Sequence, residues 1–182
     1  VVEDSNRKLK SLVDSGVSVE HLKIGECIFT SRPLIISTVL GSCVGATLYH
    51  PRTGFAAMFH AMLPSIENAR NPNQPCNFVD NALESLFARF ELRKISVRSL
   101  TVRLFGGGLT MYSDEKRQFG EILDVGRKNV EMARSILSKR GLDVACEDVL
   151  GNQGRKVLFY TKTGDTWMKF VSSTHKNSYT FR

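Results

Sequence analysis

The sequence predicts a single-domain α/β protein with helices packed on both sides of a mixed, largely antiparallel sheet. Three observations carry this. Short runs rich in β-type residues fill the first third of the chain after a helical lead-in. Two later segments repeat their apolar residues at helical spacing. Further strand-like runs are interleaved with those helices, without the regular alternation of a parallel sheet.

The elements follow in order. Residues 1–22 read as a loosely helical lead-in, with Leu9, Leu12 and Val13 at helical spacing and Gly16 ending the run. Gly25–Thr30 and Leu34–Leu40 read as strands. Cys43–Tyr49 and Phe55–Leu63 read as a strand pair, joined by a turn in which Pro51 and Gly54 supply the bend. Residues 65–77 are polar, with Pro72 and Pro75, and form a long loop of the kind that often carries function. A helix is expected from about Phe78 to Leu92. Val79, Ala82, Leu83, Leu86, Phe87 and Phe90 make its apolar stripe, and Asn77 is its expected N-cap. Leu100–Phe105 reads as a strand running into Gly106–Gly108. A second helix runs from about Gly126 to Arg140. Val130, Ala133, Ile136 and Leu137 lie on one face, and Lys139, Arg140 and Gly141 stop it. Leu142–Leu150, Lys156–Thr161 and Thr166–Val171 complete the strands, the last two as a hairpin turning at Thr163-Gly164-Asp165. The domain is therefore expected over 23–171, with 172–182 as a polar, mobile tail.

Composition narrows the function classes. Hydrophobic residues make up 42% and charged residues 24%, as in ordinary globular proteins. The apolar runs are far shorter than the ~20 residues of a membrane helix, and the polar N-terminus lacks the apolar stretch of a secretory leader. The expectation is a cytoplasmic protein without membrane insertion. Cys27, Cys43, Cys76 and Cys146 form no CxxC pair, and free thiols in a reduced compartment are expected. The net charge of +7 suggests acidic partners. Lys and Arg are nevertheless spread along the chain, densest from Arg89 to Arg103, and a solvated surface is the favoured reading. No run interleaves aromatic with basic residues, so nucleic acid is not expected as a partner. The histidines lack metal-ligand spacing. Gly106–Gly108 fits neither GxGxxG nor GxxxxGK[ST]; close backbone packing or a cleft-lining loop is expected instead.

Two residues carry candidate chemistry. Gly41 and Ser42 interrupt a strand pattern just before Cys43. A tight turn there would present the thiol beside backbone N–H groups, which are the parts acyl transfer needs. A buried structural cysteine fits the segment too. His60 sits inside the apolar run Phe55–Leu63, in the strand expected to pair with that of Cys43. Cross-strand neighbours lie within ~5.5 Å, so a Cys–His pair is sterically easy. An imidazole there would lower the thiol pKa and protonate a leaving amine.

Six ordered segments resemble the chemoreceptor glutamine deamidase (CheD) family. They are LGSCVGATLYHP (Leu40–Pro51), FHAMLP (Phe59–Pro64), NFVDNAL (Asn77–Leu83), FGGGLTM (Phe105–Met111), VGRKNV (Val125–Val130) and EDVLGNQGRKVLFYTKTG (Glu147–Gly164). By position, Cys43 resembles the family's catalytic cysteine and His60 its histidine. The third catalytic residue of the family is a threonine six residues before the cysteine. That position holds Ser37 here, with Thr38 beside it. Asn152, Gly154 and Arg155 match a region near the family's cleft. The resemblance implies a three-layer α/β/α sandwich, like that of a bacterial toxin catalytic domain. It implies protein-glutamine glutaminase activity on the cytoplasmic helices of methyl-accepting chemotaxis receptors, through a thioester and without a cofactor. It also implies the CheC phosphatase as a partner, since several members bind it, and for some members hydrolysis of receptor glutamyl methyl esters. The rival expectation is a non-catalytic adaptor that binds chemoreceptors or CheC.

Overall fold

The computed structural model describes residues 2–67, 74–108, 119–171 and 179–182. Among the described residues three α-helices, α1 (Val2–Asp14), α2 (Val79–Leu92) and α3 (Phe119–Lys139), accompany ten strands. The strands are β1 (Val19–His21), β2 (Cys27–Thr30), β3 (Ile35–Leu40), β4 (Val44–Tyr49) and β5 (Ala56–Ala61), followed by β6 (Thr101–Gly106), β7 (Val144–Val149), β8 (Gly154–Tyr160), β9 (Thr166–Val171) and β10 (Thr180–Phe181).

The α/β class, the mixed pairing and the helices on both outer faces match the sequence reading. The strands, however, divide between two stacked five-stranded sheets rather than one. The first sheet has the order β1-β3-β8-β9-β10 and the second β2-β5-β4-β6-β7. Pairing is antiparallel except between β1 and β3 and between β6 and β7. The physical reason for two sheets shows in β4 and β5, which are buried at all six positions of each strand. Such strands need cover on both faces.

Three apolar clusters supply that cover. Leu9 of α1 packs with Ile35, Leu158, Tyr160 and Trp167 on the outer face of the first sheet. Ile36, Leu40, Met58, Phe105, Val157 and Phe159 fill the space between the sheets. Val44, Ala46, Leu48, Phe59 and Leu104 meet Leu83, Phe87, Val130 and Ala133 of α2 and α3 beneath the second sheet. Alternation along each strand decides which cluster a residue joins.

Several sequence expectations are corrected. Described segments on either side of 23–171 also join the fold: β1 and β10 extend the first sheet, and α1 packs on it. Residues 172–178 lie outside the described residues. Helix α3 starts about two turns earlier than expected. Phe78 rather than Asn77 caps α2, in extended conformation and without a side-chain bond. Gly141 does end α3's segment, in the left-handed conformation with φ of 68°. Finally, Cys27 and Cys76 are joined as a disulfide, whereas Cys43 and Cys146 are free. The 49-residue separation hid this pair: β2 pairs with β5, and the residues after β5, Met62 and Leu63, both donate to the Asn77 carbonyl of the 3-10 turn Pro75–Asn77.

Candidate active site

Thr38 and His60 meet across the gap between the sheets. Thr38 lies on β3 and points inward, 4% exposed. Its hydroxyl donates to the Leu22 carbonyl at 2.8 Å and lies 2.8 Å from His60 Nδ1. A hydroxyl has one hydrogen. With that hydrogen on Leu22, only a lone pair faces the ring, so Nδ1 carries the imidazole proton and Nε2 is bare. Nε2 is buried and has no hydrogen-bond partner among the described residues. Burial lowers the His60 pKa below its ordinary value, against the opposing pull of the Leu22 carbonyl and the Glu26 carboxylate. The ring is therefore a neutral base at neutral pH.

Ser37 is not the hydroxyl in this position. Neighbouring strand residues face opposite ways. Ser37 turns to the outer face, where it lines a recess with Leu9, Val13, Lys156 and Tyr179. The strand β3 thus presents Thr38, and not the expected Ser37, to the imidazole.

Cys43 closes the bend between β3 and β4 and is 8% exposed. Gly45 pairs with His60, so Cys43, two residues earlier, lies on the same inter-sheet face as the imidazole. Diagonal neighbours of this kind are ~7–8 Å apart at the backbone, within reach for side chains. Gly45 keeps the floor between them open. A Cβ there would lie 2.7 Å from the Phe59 carbonyl and 3.3 Å from Leu40.

The bend is held from below. The Gly107 N–H donates to the Cys43 carbonyl and the Gly108 N–H to the Gly41 carbonyl, each at 2.8 Å. Asn129 Nδ2 donates to the Ser42 carbonyl at 3.1 Å. The triple glycine is thus close packing. A Cβ on Gly106 would lie 2.1 Å from the Cys43 carbonyl, and one on Gly107 would lie 2.5 Å from Val130. Behind it, the buried Arg155 guanidinium binds Asp148 and the carbonyls of Leu150 and Gln153, fixing the loop that abuts Gly108.

The thiol differs from the expectation. Burial pushes Cys43 up to about 11, with its own backbone N–H pulling the other way. A neutral imidazole offers no positive charge to lower it. The thiol is thus protonated and the imidazole neutral at neutral pH.

The fold and this site define a class: a two-sheet α/β protein with a free thiol and an oriented imidazole on one inter-sheet face. The chain belongs to the CheD family. The family model described as "CheD chemotactic sensory transduction" matches residues 62–170. A protein of Oleidesulfovibrio alaskensis named "Probable chemoreceptor glutamine deamidase CheD" is 45% identical over 164 residues, covering 90% of this chain and 77% of the relative. A protein of the same name from Nitratidesulfovibrio vulgaris is 43% identical, covering 90% and 82%. Among solved structures, the Bacillus licheniformis hypothetical protein YfiH matches with a TM-score of 0.41 at 12% identity, over 67% of this chain and 49% of its own.

Proposed function

We propose that the chain is a protein-glutamine glutaminase that converts chemoreceptor glutamine side chains to glutamate, with Cys43 as nucleophile, His60 as base and acid, and Thr38 as the group that orients His60. One observation carries the mechanism. The Leu22–Thr38–His60 hydrogen bonds fix the ring so that an unpartnered Nε2 shares a face with the free Cys43 thiol.

The substrate carboxamide enters between the sheets at the end bearing Cys43. Nε2 takes the thiol proton as sulfur attacks the carboxamide carbon, giving a tetrahedral oxyanion and an imidazolium. The Cys43 N–H, at the bend that carries the thiol, is the candidate oxyanion donor. The imidazolium then protonates the amide nitrogen, the C–N bond breaks, and ammonia leaves a thioester. Water attacks next, with Nε2 accepting its proton. The C–S bond breaks, sulfur regains a proton, and glutamate is released. The imidazolium in each half keeps its Nδ1–H on Thr38, which therefore stabilises the charged form.

The substrate class rests on the relatives' names, and a protein acting on that substrate would work at the receptors' cytoplasmic helices. No helix among the described residues is long and apolar enough to cross a membrane. The test is mass spectrometry of a receptor cytoplasmic fragment incubated with the protein. The expected result is conversion of specific glutamines to glutamate, abolished by Cys43→Ala. Unchanged glutamines, or full activity in Cys43→Ala, would overturn the mechanism. Binding without conversion would point to the adaptor reading, with chemoreceptors or CheC as partners.

A further inference from the structure

The β4–β5 ladder ends at Val44 and Ala61, one residue short of Cys43. Past that point the two strands part, and Met62 donates its N–H to the Asn77 carbonyl instead. The candidate nucleophile therefore sits just beyond the last backbone bond between its strand and that of its base. One side chain spans the opening. Asn129 of α3 donates from Nδ2 to the Ser42 carbonyl at 3.1 Å and to the Met62 carbonyl at 2.9 Å.

We propose that Asn129 is a positioning residue that holds Cys43 and His60 in working register, an inference that rests on the catalytic roles proposed above. Ser42 directly precedes Cys43, and Met62 lies two residues beyond His60. Both hydrogens of the amide are used, one on each strand, so its orientation is fixed. The side chain is 0% exposed, and its Oδ1 is buried without a partner. A residue kept only to fill this space would avoid that orphaned oxygen, because leucine fits the same face without a polar atom. The helix cannot drift either. Gly126 and Val130 of the same stretch abut Gly107, whose N–H holds the Cys43 carbonyl. Asn129 is thus anchored to the surface that also supports the bend.

The test compares Asn129→Asp, Asn129→Leu and Asn129→Ser with the unaltered protein on the receptor fragment, with rates expressed per folded molecule. Aspartate keeps the shape and loses the donors, leucine keeps the volume, and serine keeps one short donor. Asn129 touches no substrate, so kcat should fall about a hundredfold in the Asp and Leu variants with KM within about threefold. The Ser variant should fall between. If the Asp and Leu variants fail to fold, the Ser variant must still show a lowered kcat at constant KM. A kcat per folded molecule within about threefold of the original, or a change in KM alone, would overturn the proposal. Cys43→Ala run in parallel separates the two levels. Activity surviving in Cys43→Ala sinks the catalytic reading itself. Activity lost in Cys43→Ala but kept in the Asn129 variants sinks only the role of Asn129.

Discussion

Thr38 does work that no neighbouring residue can take over. Its single hydroxyl hydrogen is committed to the Leu22 carbonyl, which fixes the tautomer of His60 and frees Nε2. Thr38→Val keeps the shape and removes the acceptor for Nδ1–H. It should slow single turnover by about ten- to a hundredfold, since orienting groups carry effects of that size. Ser37→Ala should stay within about twofold, because Ser37 faces α1 across the recess lined by Leu9 and Lys156. Single-turnover rates on a receptor fragment decide between them, and a damaging Ser37→Ala with a harmless Thr38→Val would reverse the assignment of faces. The γ-methyl of Thr38 adds to the orientation, because β-branching restricts χ1.

Among the elements, β2 and the loop before α2 act as one unit. Glu26 of the β2 approach accepts from the His60 N–H, and Gly25 donates to the His60 carbonyl. The next residue, Cys27, is tied by its disulfide to Cys76, in the segment whose Asn77 carbonyl receives Met62. The disulfide therefore closes a loop around the strand that carries the base. A cross-link with a separation of 49 residues contributes about 4 kcal/mol in the chain-entropy model. Thiol reductant, or Cys76→Ser, should lower the thermal midpoint by several degrees. The check is calorimetry with and without reductant. An unchanged midpoint, with both thiols shown to be free by mass spectrometry, would mean that the packing of Met62 on Asn77 suffices alone.

The molecule as a whole balances three buried titratable groups against pH. His60 and the buried His50 both have pKa values lowered by burial. Below the ordinary value of 6.5 the unfolded chain takes up protons that the folded chain refuses, so stability falls as pH drops through that range. Cys43 is raised from 9.0 to about 11, so above 9.0 the unfolded chain releases a proton that the folded chain keeps. Stability again falls, now as pH rises towards about 11. Thermal midpoints across pH should therefore peak between these limits. Cys43→Ala should flatten the alkaline side, and His60→Gln should flatten part of the acid side. An alkaline decline identical in Cys43→Ala would show that other groups govern it.

The sequence by itself determined the elements and the chemistry they could carry. Local periodicity fixed α2, the β4–β5 pair and the turn at Thr163–Asp165, because each is set by residues near one another in the chain. The six matching segments pointed to the family, and the placement of Cys43 and His60 on adjacent strands followed from one hairpin. What tertiary structure decided were the contacts between distant segments. Two stacked sheets rather than one could not be read from strands whose apolar runs look alike under either a helix or a second sheet. The choice between Ser37 and Thr38 depends on which face of β3 meets His60, and a one-residue shift reverses every side chain. Cys27 met Cys76, and Asn129 met both strands, through chain-distant packing that leaves no local pattern. Even the Cys43 thiol reversed its expected pKa, because the electrostatics of a buried group depend on everything packed around it.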